Sequence, residues 1–190
     1  LDFPFKYGLI TLREYVEPSR LINRVLGIFE YFERWDACLR ESVCSIEGVK
    51  QLFERSRPLL QGALILADNH FNHLTSTVDF EQDIQLLRKD SNGQTPDYVV
   101  DEILTDPDYM RLRNSREIFE YPIHNRSGTV PALLCNLFRA EETEYSARVM
   151  YIPDDRAFTP GRRFLLRHLC ARLGEIVDQL PSWTLATPYS

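Results

Sequence analysis

Gly62-Ala-Leu-Ile-Leu-Ala-Asp-Asn-His-Phe-Asn-His-Leu-Thr-Ser-Thr-Val78 reads as two strands joined by a tight turn. Ala63–Ala67 is an apolar run. Asp68-Asn69-His70 is turn chemistry, because Asp and Asn side chains bond their own backbone and tolerate left-handed geometry. Phe71–Val78 is rich in aromatic and β-branched residues, which suit a half-buried strand. The stretch is therefore the expected first hairpin of a mixed sheet. Helical patterns precede it, and three strand patterns and a last helix follow.

Upstream, Pro18-Ser19 marks a helix start with Ser19 as the expected N-cap, and the helix is expected to reach about Val43. Its apolar residues Leu21, Val25, Ile28, Phe32, Trp35 and Leu39 are spaced 4, 3, 4, 3, 4, a heptad seam. Ile22, Phe29 and Val43 widen it. Such a seam buries against the domain's own sheet or zips against a second copy, and the regular spacing favours a homodimer. A second helix is expected from Ser45 to Arg55, stopped by Pro58.

Downstream, Glu81–Lys89 has apolar residues placed for one or two helical turns. Asp97 is the expected cap of a short helix. Asp106, with Pro107 at the first helical position, opens another over Asp108–Arg113. Glu117–Ile123 alternates as a strand. Val130–Phe138 is the most apolar later run and reads as a central strand buried on both faces. Tyr145–Ile152 alternates again, setting Ser146, Arg148, Met150 and Ile152 on one face. Thr159-Pro160 starts the last helix, striped by Leu165, Leu169, Leu173, Ile176 and Leu180. Short links make the last three strands an antiparallel meander.

The expected class is α+β, a five- to six-stranded antiparallel sheet flanked by long N- and C-terminal amphipathic helices. The expected divisions are an N-terminal arm and helices over 1–57, a sheet domain over 58–181 and a tail over 182–190.

The 190 residues are 44% hydrophobic and 26% charged, ordinary for a folded protein. Twenty-two basic against 28 acidic residues give a net charge of −6, which disfavours direct contact with a phosphate backbone. No apolar run approaches the ~18 residues of a membrane span. No signal peptide is visible, but the chain begins at Leu1 rather than Met, so the missing signal carries little weight. Cys38, Cys44, Cys135 and Cys170 fit neither a zinc ribbon nor a redox pair, and read as small buried thiols in a reducing compartment. The expected location is the cytoplasm.

Catalytic signatures are missing. There is no Gly-x-Ser-x-Gly elbow and no Gly-rich phosphate loop. His70 and His73 lie beside Asp68, but residues three apart on a strand point to opposite faces, and no third metal ligand has a recognisable spacing. No metal and no cofactor is expected, and a small metal-dependent enzyme at His70 and His73 is the remote alternative. Arg111, Arg113 and Arg116 either bind an anion or pair locally with Asp106, Asp108 and Glu117; local pairing is favoured. Asn136, inside the apolar run Leu133–Phe138, needs a partner or a cavity, and so does Arg148 on the next strand. The ligand-binding candidates are Tyr109, Tyr121, Asn136 and Arg148. For Asn136 and Arg148 the competing reading is a hydrogen bond to loop backbone or a salt bridge.

Ile28-Phe29-Glu30-Tyr31-Phe32-Glu33-Arg34-Trp35-Asp36-Ala37-Cys38-Leu39, the Pro58–Asp68 approach to the hairpin, Val130–Phe138 and the Tyr145 strand together resemble the N-terminal sensory region of PucR/CdaR-type bacterial transcription regulators. In that family an aromatic-x-x-x-Trp-x-x-x-Leu helix precedes a GAF- or PAS-like domain. The resemblance covers roughly residues 20 to 180. It implies a GAF/PAS-like, dimeric, ligand-responsive module of a cytoplasmic regulator, with a small-molecule effector and with DNA bound only by a helix-turn-helix domain outside this chain. It carries over no catalytic residue. The alternative is a structural interaction and dimerisation module with no ligand.

Overall fold

A computed structural model describes residues 13–40, 45–77, 95–125, 128–155 and 157–177. The chain divides between Cys38 and Leu39 into two compact units. Residues 1–12 of the expected N-terminal arm, the turns at Glu81–Lys89, Val43, Cys44, Leu180 and the tail lie outside the described residues.

The first unit contains α1 (Pro18–Leu39) up to Cys38. Its cap differs from expectation. The Glu17 carboxylate accepts the N–H groups of Ser19 and Arg20 at 3.4 and 3.2 Å and also the Ser19 hydroxyl. Glu17, not Ser19, thus satisfies the first-turn donors, while Pro18 sits where a helix needs no N–H. These bonds, the Ser19 hydroxyl foremost, hold the Glu17 carboxyl below its ordinary value. Helix α1 ends at Leu39, short of Val43. The Phe32 and Trp35 rings meet edge-on, 5.3 Å between centroids. Of the seam positions, Trp35 and Leu39 are buried, Leu21, Val25 and Phe32 half-buried, and Ile28 exposed; Ile22, Leu26 and Phe29 are exposed beside it.

The second unit begins with α2 (Ile46–Leu60). Ser45 caps it as expected, its hydroxyl accepting the Gly48 N–H at 3.1 Å. Pro58 does not stop it. The proline lies inside the last turn, where it forfeits one i→i−4 bond. The helix closes through the Gln61 N–H on the Arg57 carbonyl, with Gln61 in the left-handed region at φ 54°. A domain boundary at 57/58 would therefore cut a continuous helix.

The hairpin follows as β1 (Gly62–Asp68) and β2 (His73–Ser76), antiparallel. The second strand starts two residues later than Phe71. Phe71 is held at φ 66°, its N–H donating to the Asp68 carbonyl at 3.2 Å. Asp68 Oδ1 accepts the N–H groups of His70 and Asn72, and Oδ2 accepts the Asn72 side chain. The acidic side chain organises the turn, as its chemistry predicts. At the other end of β1, a Cβ on Gly62 would come 2.4 Å from the Ile152 carbonyl oxygen. Only glycine lets the two backbones approach so closely there.

Two short helices come next, α3 (Asp97–Thr105) and α4 (Pro107–Leu112). Asp97 is the first helical residue of α3, not its cap; Pro96 holds the cap position, with no side-chain bond. Asp106 caps α4 as expected, accepting the Asp108 N–H at 2.8 Å, with Pro107 in the first turn. Then β3 (Phe119–Asn125), β4 (Gly128–Leu137) and β5 (Ala147–Pro153) form the expected antiparallel meander. Last is α5 (Pro160–Ile176), capped by Thr159 through the Arg162 N–H at 3.2 Å.

The sheet has five strands in the order β2-β1-β5-β4-β3, all neighbours antiparallel. The middle strand is β5, every residue of which is buried; the Val130–Phe138 run is interior as expected, lying as β4 between β5 and β3 and buried on both faces from Ala132 to Leu137. Pro122 of the edge strand β3 stands opposite Pro131 of β4.

The two sheet faces differ. Alternation sends Leu64, Leu66, Leu133, Cys135, Val149 and Tyr151 to the face on which α2 and α5 pack. There the Tyr151 hydroxyl donates to the Leu60 carbonyl at 2.6 Å, and Leu166 and Leu169 are fully buried. The opposite face carries Ala63, Ile65, Ala67, Ala132, Leu134, Met150 and Ile152, with Phe119 and Ile123. Over part of this face, where the small side chain of Ala67 lies, there is open space.

Candidate functional site

That space is a cavity of about 220 Å³. Ala67, Leu134, Arg148 and Met150 form its floor, and Asp68 and Phe71 of the hairpin turn one wall. Val99, Glu102, Ile103, Asp106 and Tyr109 close it from α3 and α4, and Tyr121, Pro122, Ile123 and Tyr145 complete the lining. The rings are mutually packed, Tyr109 with Tyr121 at 5.3 Å and Tyr109 with Phe71 at 5.9 Å between centroids.

Each polar group on the wall has a local cause. Asp106 is the α4 cap, and its second oxygen accepts the Tyr121 hydroxyl at 2.6 Å. Burial, and then this bond to a carboxylate, push the Tyr121 phenol well above its ordinary value. Tyr145 is raised as well, by burial, with the nearby Arg148 charge opposing. Its hydroxyl lies 3.2 Å from that of Tyr109.

Arg148 holds this end of the cavity together. It is 4% exposed. Its Nε donates to Asn136 Oδ1 at 2.7 Å, Nη1 to the Tyr109 hydroxyl at 2.5 Å, and Nη2 to the Arg113 carbonyl at 2.9 Å. Its guanidinium carbon lies 4.2 Å from the Tyr145 ring centroid and 5.0 Å from that of Tyr109, within cation–π range. Asn136, opposite Arg148 in the β4–β5 register, donates to the carbonyls of Arg113 and Ser115 at 2.9 and 2.8 Å.

Of the four residues read from the sequence, Tyr109, Tyr121 and Arg148 line one cavity. Asn136 does not. It makes the bond to loop backbone that was its competing reading, and it positions Arg148. Sequence reasoning missed Phe71, Asp68 and the α3 residues, because the left-handed Phe71 that turns the chain toward the cavity has no sequence signature. Met150 was within reach, since it shares the Arg148 face by alternation.

The other polar candidates resolve locally. Arg111 pairs with Asp108 at 3.2 Å, and Arg116 donates to the Glu142 carbonyl and covers the Phe138 ring. The His70 backbone serves the hairpin turn. Among the described residues no cluster of three or more His, Cys, Asp or Glu side chains could hold a metal ion. Cys135 and Cys170 are buried and free, and Cys38 is half-buried. The bond to Cys170 lowers the Cys135 thiol, whereas burial raises Cys170. Among the described residues no helix is long and apolar enough to cross a membrane.

No family model matches the chain, and no curated protein matches it.

Proposed function

We propose that the chain is the ligand-sensing and dimerisation region of a transcription regulator. The sheet with the helices packed on it would form a GAF/PAS-like sensor, and binding would be relayed to a DNA-binding domain outside this chain. The observation that carries the reading is the cavity of about 220 Å³ between sheet and short helices, lined by aromatic and aliphatic side chains with a few convergent polar groups. Small-molecule sites have this make-up. The cavity wall is assembled from α3, α4 and the hairpin turn, so a ligand that favours one arrangement of these elements shifts their populations. The module is a binder without cofactor or catalytic residue, and it works in the cytoplasm.

The homodimer seam on α1, Leu21, Val25, Ile28, Phe32, Trp35 and Leu39, belongs to this proposal. Its support is the heptad spacing together with exposed Ile28 and Phe29, at 65% and 63%.

A thermal-shift screen with small carboxylic acids, amides, amines and purines tests the sensor. At a ligand concentration 100-fold above Kd, a binder adds about 2.7 kcal/mol to stability and raises Tm. A screen in which no compound moves Tm leaves the structural-module reading in its place.

A further inference from the structure

We propose that the cavity takes a small carboxylate, with the acid group held by Arg148 and the apolar body lying among Phe71, Tyr109, Ile123 and Met150. The inference rests on the sensor reading and names its ligand class.

Among the described residues Arg148 is a buried cation without an anion. Among the described residues no carboxylate lies within ion-pairing distance of it; its partners are an amide oxygen, a phenol and a backbone carbonyl. Burying a guanidinium is expensive, and neutral acceptors offset it less well than a carboxylate does. Three of its five N–H groups are used, which leaves one on each terminal nitrogen. Those nitrogens belong to a residue on the cavity wall.

The acidic residues of the lining are differently placed. Both Asp68 oxygens accept hydrogen bonds from the hairpin turn. Asp106 is engaged by the α4 backbone and by Tyr121. Glu102 is solvent-exposed on α3. These carboxylates have other partners or water, whereas the buried positive group has unused donors. An anion complements it, and a planar carboxylate suits the fork of a guanidinium.

Size narrows the class. About 220 Å³ is below the ~300–1,000 Å³ of clefts for drug-sized ligands. The packed rings of Tyr109, Tyr121 and Phe71 suit a flat apolar body beside the acid.

The experiment compares matched probes on the intact protein: benzoate and phenylacetate, their neutral amides benzamide and phenylacetamide, and benzylamine. The acids should raise Tm and saturate in a titration, while the amides bind at least about tenfold more weakly, a difference of about 1.4 kcal/mol. In R148K, which keeps the charge but loses the fork, acid affinity should fall about tenfold or more. The acid–amide comparison needs no variant and holds if R148K does not fold. Amides binding as well as acids, benzylamine binding more tightly, or R148K binding acids unchanged would overturn the carboxylate assignment and leave the sensor reading standing. No response to any of these five probes would also overturn the carboxylate assignment, while the sensor reading falls only if the wider screen with purines moves Tm nowhere.

Discussion

Arg148 Nη1 lies 2.5 Å from the Tyr109 hydroxyl, joining the central strand of the sheet to α4 through a buried bond. Tyr109 is 1% exposed, and its hydroxyl also meets that of Tyr145. Tyr109→Phe leaves a buried cationic donor without its acceptor. A loss of about 1–3 kcal/mol is expected, read as a lower urea midpoint at unchanged m. An unchanged midpoint would mean that Arg148 re-pairs at no cost.

Asp106 serves two elements at once, capping α4 and accepting the Tyr121 hydroxyl. Asp106→Ala should cost about 0.5–2 kcal/mol through the cap alone. Asp106→Asn should keep most of that cap while removing the charge beside Tyr121. In Asp106→Asn the Tyr121 phenol should ionise at lower pH than in the parent, as followed by phenolate absorbance. Burial, the larger cause, keeps it above the ordinary tyrosine value in both proteins.

Tyr151 gives a pH dependence with a definite sign. Burial pushes its phenol from 10.0 up to about 12. The unfolded chain therefore loses this proton first. The contribution to stability is whole below pH 10 and disappears as pH rises to about 12. Tyr121 and Tyr145 act in the same direction, so the comparison is between the parent and Tyr151→Phe. The variant should lose about 0.5–1.5 kcal/mol at neutral pH, where the bond to the Leu60 carbonyl is missing. Above pH 10 the parent should fall more steeply. Parallel urea midpoints across the alkaline range would contradict this.

Leu166 on α5 is fully buried against the sheet. Leu166→Ala should cost about 2–5 kcal/mol. Phe164, two residues earlier and 61% exposed, should change stability by about 0.5 kcal/mol or less when replaced by Ala. Thermal melts of the two variants separate the buried side of α5 from its solvent side.

Phe29 and Ile28 project from α1 at 63% and 65% exposure. If α1 pairs with a second copy, Ile28→Glu should shift sedimentation from dimer to monomer without altering the helical circular dichroism signal. A parent chain that sediments as a monomer at high concentration removes the dimer from the proposal.

Much of the architecture was readable where local chemistry decides. The Asp106-Pro107 and Thr159-Pro160 starts are met, because a side-chain oxygen followed by a residue without N–H fits only a helix entrance. The hairpin turn was legible in Asp68 for the same reason. Helix ends were less so. Pro58 looked like a stop, but a proline in the last turn breaks only one bond and the helix runs through it. Strand order was not legible, since the central position of β5 depends on its pairing with β1, a long-range contact. At the site, alternation set Arg148 with Met150 on one face. Whether Asn136 faced a ligand or a loop turned on the path of residues 113–115, which no pattern encodes.

The pair Pro122–Pro131 limits how this protein can associate. Neither residue has an N–H to exchange, so they stand at a position where each backbone nitrogen points away from the other strand. At Pro122 that direction is the open side of β3, the last strand of the sheet. A foreign strand laid along this border would find a missing donor midway and a bulky ring in its place. The border is thereby guarded against fibril growth and accidental annealing along β3.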